Sequence, residues 1–424
     1  MKRTLLFTAI TLISVGLLAQ EVKEVITGTD YANDVYYSLE NGTVTTVQRD
    51  NWDIAFVSKM MSVSILANNG SGVELYTYPD GDIDDWATLD STAMDWESML
   101  NSPMYNSLET FDEGAFNRNI VPDDDYDFGW GTYNMVNHHI TGDSLFVIKT
   151  ISGAYKKLAI IDKAAMANLW EFKYANLDGT DEQIDTLYAN DYSDQYFIHY
   201  SIDSMKFVSR EPATTDWDML FTKYKDYINW PTYSPVTGIL INDDHVLAQE
   251  VRESGMDQAT HNTYKDSAFS SFISEIGSDW KKINASYSFD IIDSVVYYLK
   301  TLGETDSSYY KIYFTGFSGS AGGGIYTFMQ EEMDFAVSVE APGKIQMLEV
   351  YPNPASDRIN VVFDLNGRSD IEIIDMTGRL VYTTQYNATG FTNYSLDVSS
   401  LNPGIFFMRV SADGKSNVLR FIKE

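Results

Sequence analysis

Apolar and polar residues alternate over short runs in this chain, most plainly in Trp52-Asp53-Ile54-Ala55-Phe56 and in Trp217-Asp218-Met219-Leu220-Phe221. Period two is the spacing of a strand. Trp52, Ile54 and Phe56 are therefore expected on one face, and Trp217, Met219 and Phe221 on another. One stretch departs from this pattern: Phe269, Phe272, Ile273 and Ile276 recur at helical spacing, with Gly277 as a stop, and predict a helix. A weaker helical pattern runs from Ala93 to Leu100. Toward the C-terminus, 359–365 and 371–376 are short and rich in β-branched residues. Asn366-Gly367, Thr377-Gly378, Asn402-Pro403-Gly404 and Asp413-Gly414 supply the backbone freedom of tight turns. Strands at this spacing predict a small immunoglobulin-like β-sandwich. The expected fold class is mainly β with a few short helices.

The strand blocks recur. Asn51-Trp52-Asp53-Ile54-Ala55-Phe56 returns as Asp216-Trp217-Asp218-Met219-Leu220-Phe221, and Leu145-Phe146-Val147-Ile148-Lys149-Thr150 as Val296-Tyr297-Tyr298-Leu299-Lys300-Thr301. Tyr155-Lys156-Lys157-Leu158 is echoed by Tyr309-Tyr310-Lys311-Ile312, and Trp170-Glu171-Phe172 by Tyr326-Thr327-Phe328. Order and approximate spacing are kept, so a duplication is expected with its junction near 179–194. The division that follows is a leader at 1–19, one β domain at 20–182, a second at 183–342 and a C-terminal domain at 343–424.

Both ends read as addresses. Lys2-Arg3, the apolar run Leu5 to Leu18 and the small residue Ala19 form a secretory signal pattern, too short for a membrane span. The tail carries Leu348-Glu349-Val350-Tyr351-Pro352-Asn353-Pro354, then Asp375-Met376-Thr377-Gly378-Arg379, then Leu401-Asn402-Pro403-Gly404, and ends on Arg420-Phe421-Ile422-Lys423-Glu424. That succession resembles the C-terminal sorting domain of type IX secretion substrates in the Bacteroidetes. The resemblance implies passage through the periplasm, recognition by the type IX machinery and a secreted or outer-surface destination, with trimming near Gly343.

Charge and cysteine narrow the partners. The chain has no cysteine, which excludes disulfides and thiolate metal sites. Its formal charge is −32, and residues 345–424 contribute only nine acids against seven bases, so residues 20–344 hold nearly all of it. Such a surface repels nucleic acid and anionic membranes. Aromatic residues at 14% argue for a packed interior despite the acidity.

The recurring Trp-Asp strand, the Asn68-Asn69-Gly70-Ser71-Gly72 segment after it, and the later Lys-Thr and Tyr-Lys strands resemble HmuY-type haem-binding proteins. The resemblance implies two copies of that β domain and a ligand held by His or Met side chains projecting over an apolar slot. Of five histidines, His138, His139, His245 and His261 are candidate ligands, joined by Met60 and Met61; each has an alternative role as an ordinary surface or core residue. A non-haem ligand, such as a glycan or a host protein, is the alternative on the same scaffold. Asp80-Gly81-Asp82-Ile83-Asp84-Asp85 and Asp123-Asp124-Asp125-Tyr126-Asp127 place acids like calcium loops but lack the glycine and glutamate an EF-hand needs. Gly316-Phe317-Ser318-Gly319-Ser320 misses the nucleophile-elbow pattern at its fifth position, and Gly322-Gly323-Gly324 reads as a strand connection. A binding protein is expected, not an enzyme.

Overall fold

The structure, a computed structural model, describes residues 20–79, 81–89, 91–92, 94–229, 232–303, 307–333, 346–375, 379–412 and 415–423. The signal segment, the cut near Gly343 and the turns at Thr377-Gly378 and Asp413-Gly414 lie outside the described residues. The chain divides into two units, 1–334 and 335–424.

The larger unit begins with β1 (Glu21–Ile26), β2 (Asn33–Ser38), β3 (Gly42–Gln48), β4 (Ile54–Val57), β5 (Ile65–Ala67) and β6 (Glu74–Thr77). After the short helix α1 (Trp96–Leu100) come β7 (Gly131–Asn134), β8 (His139–Gly142), β9 (Phe146–Lys149), β10 (Tyr155–Ala164) and β11 (Leu169–Asn176). Then follow β12 (Gln183–Tyr188), β13 (Phe197–Ser201), β14 (Lys206–Val208), β15 (Met219–Asn229), β16 (Thr232–Ile241) and β17 (Val246–Arg252). The unit closes with β18 (Lys281–Ile283), β19 (Phe289–Ile291), β20 (Val295–Leu302), β21 (Ser307–Phe317) and β22 (Ile325–Glu332).

Two outer sheets share one strand order. One runs β12-β11-β10-β9-β6, with the hairpin β7-β8 attached to the far end of β10; the other runs β1-β22-β21-β20-β17. Their registers coincide as well. Lys149 faces Tyr155 as Lys300 faces Tyr309, and both β10 and β21 bulge, after Ile160 and after Phe314. The two inner sheets agree in the same way, as β14-β13-β4-β5 and β3-β2-β15-β16. Tyr200 faces Ile54 as Tyr37 faces Met219.

The pairing crosses the middle of the sequence. Strands β12 and β13 complete sheets built from the first half, while β1 and β2 complete sheets built from the second. The expected boundary at 182/183 therefore has hydrogen-bonded strands on both sides, β11 against β12. The halves exchange their leading strands, and two buried carboxylates fasten the exchange. Asp53 accepts the N–H of Ile202 at 2.7 Å and that of Ile151 at 2.8 Å. Asp218 accepts the N–H of Leu39 at 2.7 Å. The neighbouring Asn68 amide donates to the carbonyls of Arg49 and Trp52, as the Asn242 amide does to those of Thr214 and Trp217.

This layering explains where alternation misled. Ile54 and Phe56 enter a core against the first outer sheet, and Met219 and Phe221 one against the second. Trp52 and Trp217 instead pack on the opposite side, in a central core between the two inner sheets. Each precedes its strand and sits where the Asp backbone turns into the ladder, so the period-two count does not reach it. Trp217 is fully buried; Trp52 is only half-buried. The central inner strands bury both faces, which is why Ile54-Ala55-Phe56-Val57 and Phe197–Ser201 have no exposed member.

The helix expected at 269–277 does not form. A 3₁₀ turn ends at Ala268, and the segment is then irregular: Ser270 bridges Ala248, the Glu275 N–H donates to Phe272 O in a turn, and Gly277 bridges Ile239. Ile273 and Ile276 are buried in different cores and Phe272 is exposed, so edge pairing outcompetes the local helical pattern. The weaker pattern does give α1. Two equivalent buried lysines on the outer sheets hold the loops that cover them by backbone carbonyls. Lys157 Nζ donates to Trp86 O at 2.5 Å, and Lys311 Nζ donates to Ala259 O at 3.0 Å.

In the smaller unit, β23 (Gln346–Tyr351), β24 (Arg358–Asp375), β25 (Leu380–Asp397), β26 (Gly404–Ala412) and β27 (Lys415–Lys423) form one network around a single core. The two short strands expected at 359–365 and 371–376 are one. Asn366-Gly367 is no turn, because Gly367 takes φ 109° inside β24 while the ladder with β25 continues past it. β24 pairs with β23 in its first half and β26 in its second, so the long strands serve both ends of the unit.

The exchange yields two expectations. Asp53→Ala strands the N–H groups of Ile202 and Ile151 at about 1–3 kcal/mol each, so its stability in urea unfolding falls by about 2–6 kcal/mol, whereas Asp50→Ala on the exposed turn changes it by about 0.5 kcal/mol or less. Residues 20–180 and 183–333 expressed apart lack each other's leading strands and give no cooperative unfolding transition alone; co-expressed, they co-purify and regain one. Independent folding of either fragment would contradict the exchanged arrangement.

Candidate functional site

Four of the six expected donors gather at one end of the first outer sheet. The hairpin β7-β8 turns through Met135-Val136-Asn137-His138, and His138 closes it at φ 57°. Asn134 and Asn137 carboxamides accept the N–H groups of Val136 and His139, the local reason this polar sequence makes a tight connection. β8 then pairs with β10 beyond its bulge, so His139 lies opposite Ala164.

The turn after β4 carries Met60 and Met61, and the segment 163–168 ties it to the hairpin. Lys163 Nζ donates to Ser62 O, the Asn168 amide donates to Ser58 O at 2.8 Å, and Ala165 N–H donates to His138 O at 3.2 Å. Met60 and Met61 are 44% and 81% exposed. A core role for them, the alternative reading of the sequence, does not hold, because the chain turns outward after Ser58. Met166, on the same segment, is exposed as well.

The histidines differ in how they are held. His139 Nδ1 lies 2.8 Å from Asp162 Oδ2. A carboxylate only accepts, so Nδ1 carries the proton and the neutral ring presents Nε2 as a free lone pair. That is the arrangement of a metal-ligating histidine oriented by an acid behind it. His138 Nδ1 meets Tyr133 Oη at 2.6 Å, and Tyr133 stacks on Tyr126 at 6.3 Å. Asp162 and Met166 were not read from the sequence. The available signal was an acid interrupting the apolar run of Leu158 to Ile161, which the bulge turns toward His139.

The other two histidines are elsewhere, in the second half. His245 Nε2 lies 3.1 Å from Asp218 Oδ1, at the carboxylate that fastens the strand exchange. His261 Nδ1 lies 2.8 Å from Tyr298 Oη in the loop over the second outer sheet. Among the described residues, no three His, Asp or Glu side chains cluster to hold a metal ion. The acidic stretches are spent on turns: Asp82 and Asp85 form a capping box, and Asp127 accepts the N–H groups of Val121 and Gly129.

Residues 30–174 match the family model for HmuY protein, and residues 349–424 match the secretion system C-terminal sorting domain. No curated protein matches the chain. Among solved structures, the BSP domain of a biofilm associated protein aligns over 96% of this chain and 81% of that one, at 8% identity and a TM-score of 0.17, which carries no argument. The chain thus joins an HmuY-type segment to a type IX sorting domain, and the protein is secreted or displayed at the cell surface. Among the described residues, no helix is long and apolar enough to cross a membrane.

Lys163 makes this end sensitive to pH. Its ammonium lies over the Trp170 ring at 4.4 Å with no carboxylate beside it, and burial pushes it down to about 7 from 10.5. Between those values the unfolded chain holds a proton that the folded chain does not, so stability rises with pH from about 7 to about 10.5 and is lost on the way down. Urea midpoints across this window should rise more steeply for the wild type than for Lys163→Met; parallel profiles would show that Lys163 is charged when folded.

Proposed function

We propose that this protein captures haem outside the cell, as a binding protein and not an enzyme, and that the donors come from Met60, Met61, His138 and His139. One observation carries the reading: the HmuY match, 30–174, contains these four donors, and the fold gathers them around 163–168. His245 and His261 fall outside the matched span. The sorting domain supports a route through the periplasm under the expected signal peptide, with the type IX machinery as partner. The equal strand order and register of the two halves support reading the second as a further copy of the same domain.

The donor chemistry suits the group. Haem iron takes imidazole and thioether ligands, and here both kinds are at hand without cysteine. Asp162 holds His139 so that Nε2 faces outward, and the exposed Met60 and Met61 are long, flexible and polarisable, able to reach a metal from a turn. Val136, 91% exposed at the hairpin tip, offers apolar surface beside them. His139 would be one ligand and Met60 or Met61 the other, with His138 as the alternate imidazole.

Haemin titrated into residues 20–333 should sharpen and red-shift the Soret band at micromolar protein. His139→Ala should weaken binding by about tenfold or more, a loss of about 1.4 kcal/mol, and Met60→Ala/Met61→Ala should do likewise. His245→Ala and His261→Ala should leave it unchanged. A flat titration in both oxidation states would defeat the haem reading; loss confined to His245→Ala or His261→Ala would move the site to the second half.

A further inference from the structure

A second place in the molecule is built to receive a ligand. Between the two inner sheets lies a cleft enclosing about 760 Å³ of atom-free space, solvent at its mouth included. Its walls come from both halves, Tyr36, Trp52, Phe111, Phe197, Leu220 and Leu240 among them. Ala55 and Leu66, paired on one inner sheet, and Leu220 and Leu240, paired on the other, all line it. None of the six expected haem donors lines it.

Its inner end is polar and unsatisfied. Arg210 Nη2 pairs with Asp34 at 2.7 Å, and Thr222 Oγ1 donates to the other Asp34 oxygen at 2.7 Å, so that charge is neutralised in place. Arg210 Nη1 lies 3.4 Å from His199 Nε2. Arginine only donates, so His199 Nε2 accepts and Nδ1 carries the hydrogen. His199 Nδ1, Arg210 Nε and Trp52 Nε1 are all buried and have no partner. The three groups touch: the His199 ring meets Trp52 edge-on at 4.8 Å, and the guanidinium carbon lies 5.7 Å from the Trp52 ring centre. All three orphans are N–H donors.

The mouth is cationic, in a chain of net charge −32. Lys223 and Lys225 line both the cleft and an adjoining hollow that also holds Arg49 and Asp50. Among the described residues neither lysine has a carboxylate at ion-pair distance. Arg49 is held by the carbonyls of Tyr31 and Gly70, which leave its charge uncompensated, and Asp50 accepts from the Gln48 amide. The fold presses these cations together: Gly70 packs so tightly on β15 that a Cβ there would lie 1.6 Å from Lys223 O. Burial, then the neighbouring Arg49 and Lys225, push the Lys223 ammonium down, against a smaller opposing pull from Asp30.

We infer that this cleft binds an apolar or aromatic molecule bearing a carboxylate, its ring between the inner sheets and its charge at Lys223 and Lys225. Aromatic walls exclude water from the body of such a ligand, and among the described residues lining the cleft and hollow the charged side chains without an ion pair are three cations, Arg49, Lys223 and Lys225, against one acid, Asp50. The site uses none of the residues proposed for haem, so either reading stands without the other.

Calorimetry with 2-naphthoate, and with uncharged 2-naphthalenemethanol as its neutral partner, tests the inference on residues 20–333. One equivalent of 2-naphthoate should bind at least tenfold more tightly than the alcohol and more weakly at high salt. Lys223→Gln/Lys225→Gln, on the surface of β15, should abolish that preference while leaving the thermal midpoint and the haemin titration unchanged. Leu220→Trp, which fills the cleft, should remove binding of both probes; if it does not fold, Leu240→Met and the lysine pair decide. No heat with 2-naphthoate at millimolar concentration, or equal binding by the wild type and the lysine variant, overturns the proposal.

Discussion

Two buried carboxylates hold the larger unit together by gripping strands that belong to the other half of the sequence. Asp53 takes the N–H that follows β13, and Asp218 takes the N–H that follows β2. Each bond stands for a whole exchanged strand pair, because β12 and β13 arrive as one piece and β1 and β2 as the other. A charged acceptor away from water binds backbone N–H groups more firmly than a neutral one and leaves them costly to free. The four layers follow. The inner sheets can be buried on both faces only because each half brings the other its partner, and their shared central core exists only because both are present.

Function is displaced to the margins by that arrangement. The central inner strands β4 and β13 have no free face, so the proposed donors lie where strands end: on the turn after β4 and on the β7-β8 hairpin, with 163–168 between them. The cleft is the exception. It lies between the inner sheets and is lined by residues of both halves. Lys163, buried, and Lys281, half-buried, show the same economy, since both lie over an indole ring and both are satisfied by backbone carbonyls.

Strand content was legible in the sequence, and so were the recurring blocks, because period-two runs and repeated Trp-Asp pairs survive any arrangement in space. The faces of Trp52 and Trp217 were not, since each lies two residues before its ladder begins. The helix read from Phe269 to Ile276 failed because spacing reports which residues can share a stripe, not whether a nearby strand edge offers better partners. The exchange itself leaves no local mark: β2 carries nothing to say that it pairs with β15 and not with its neighbours. At the site, the histidines and methionines were named from their chemistry, but their grouping depends on contacts of a hundred residues' separation, such as Lys163 to Ser62.

Lys157 and Lys311 each hold their covering loop by main-chain oxygens, Trp86 O in one case and Ala259 O in the other. A carbonyl is present whatever side chain follows it. The two loops accordingly differ, one carrying an indole and an acidic turn, the other a histidine and tyrosines, while sharing the same kind of anchorage. Such a latch lets mutation rewrite the exterior of a secreted or surface-displayed protein, residue by residue, without loosening it from the sheet beneath.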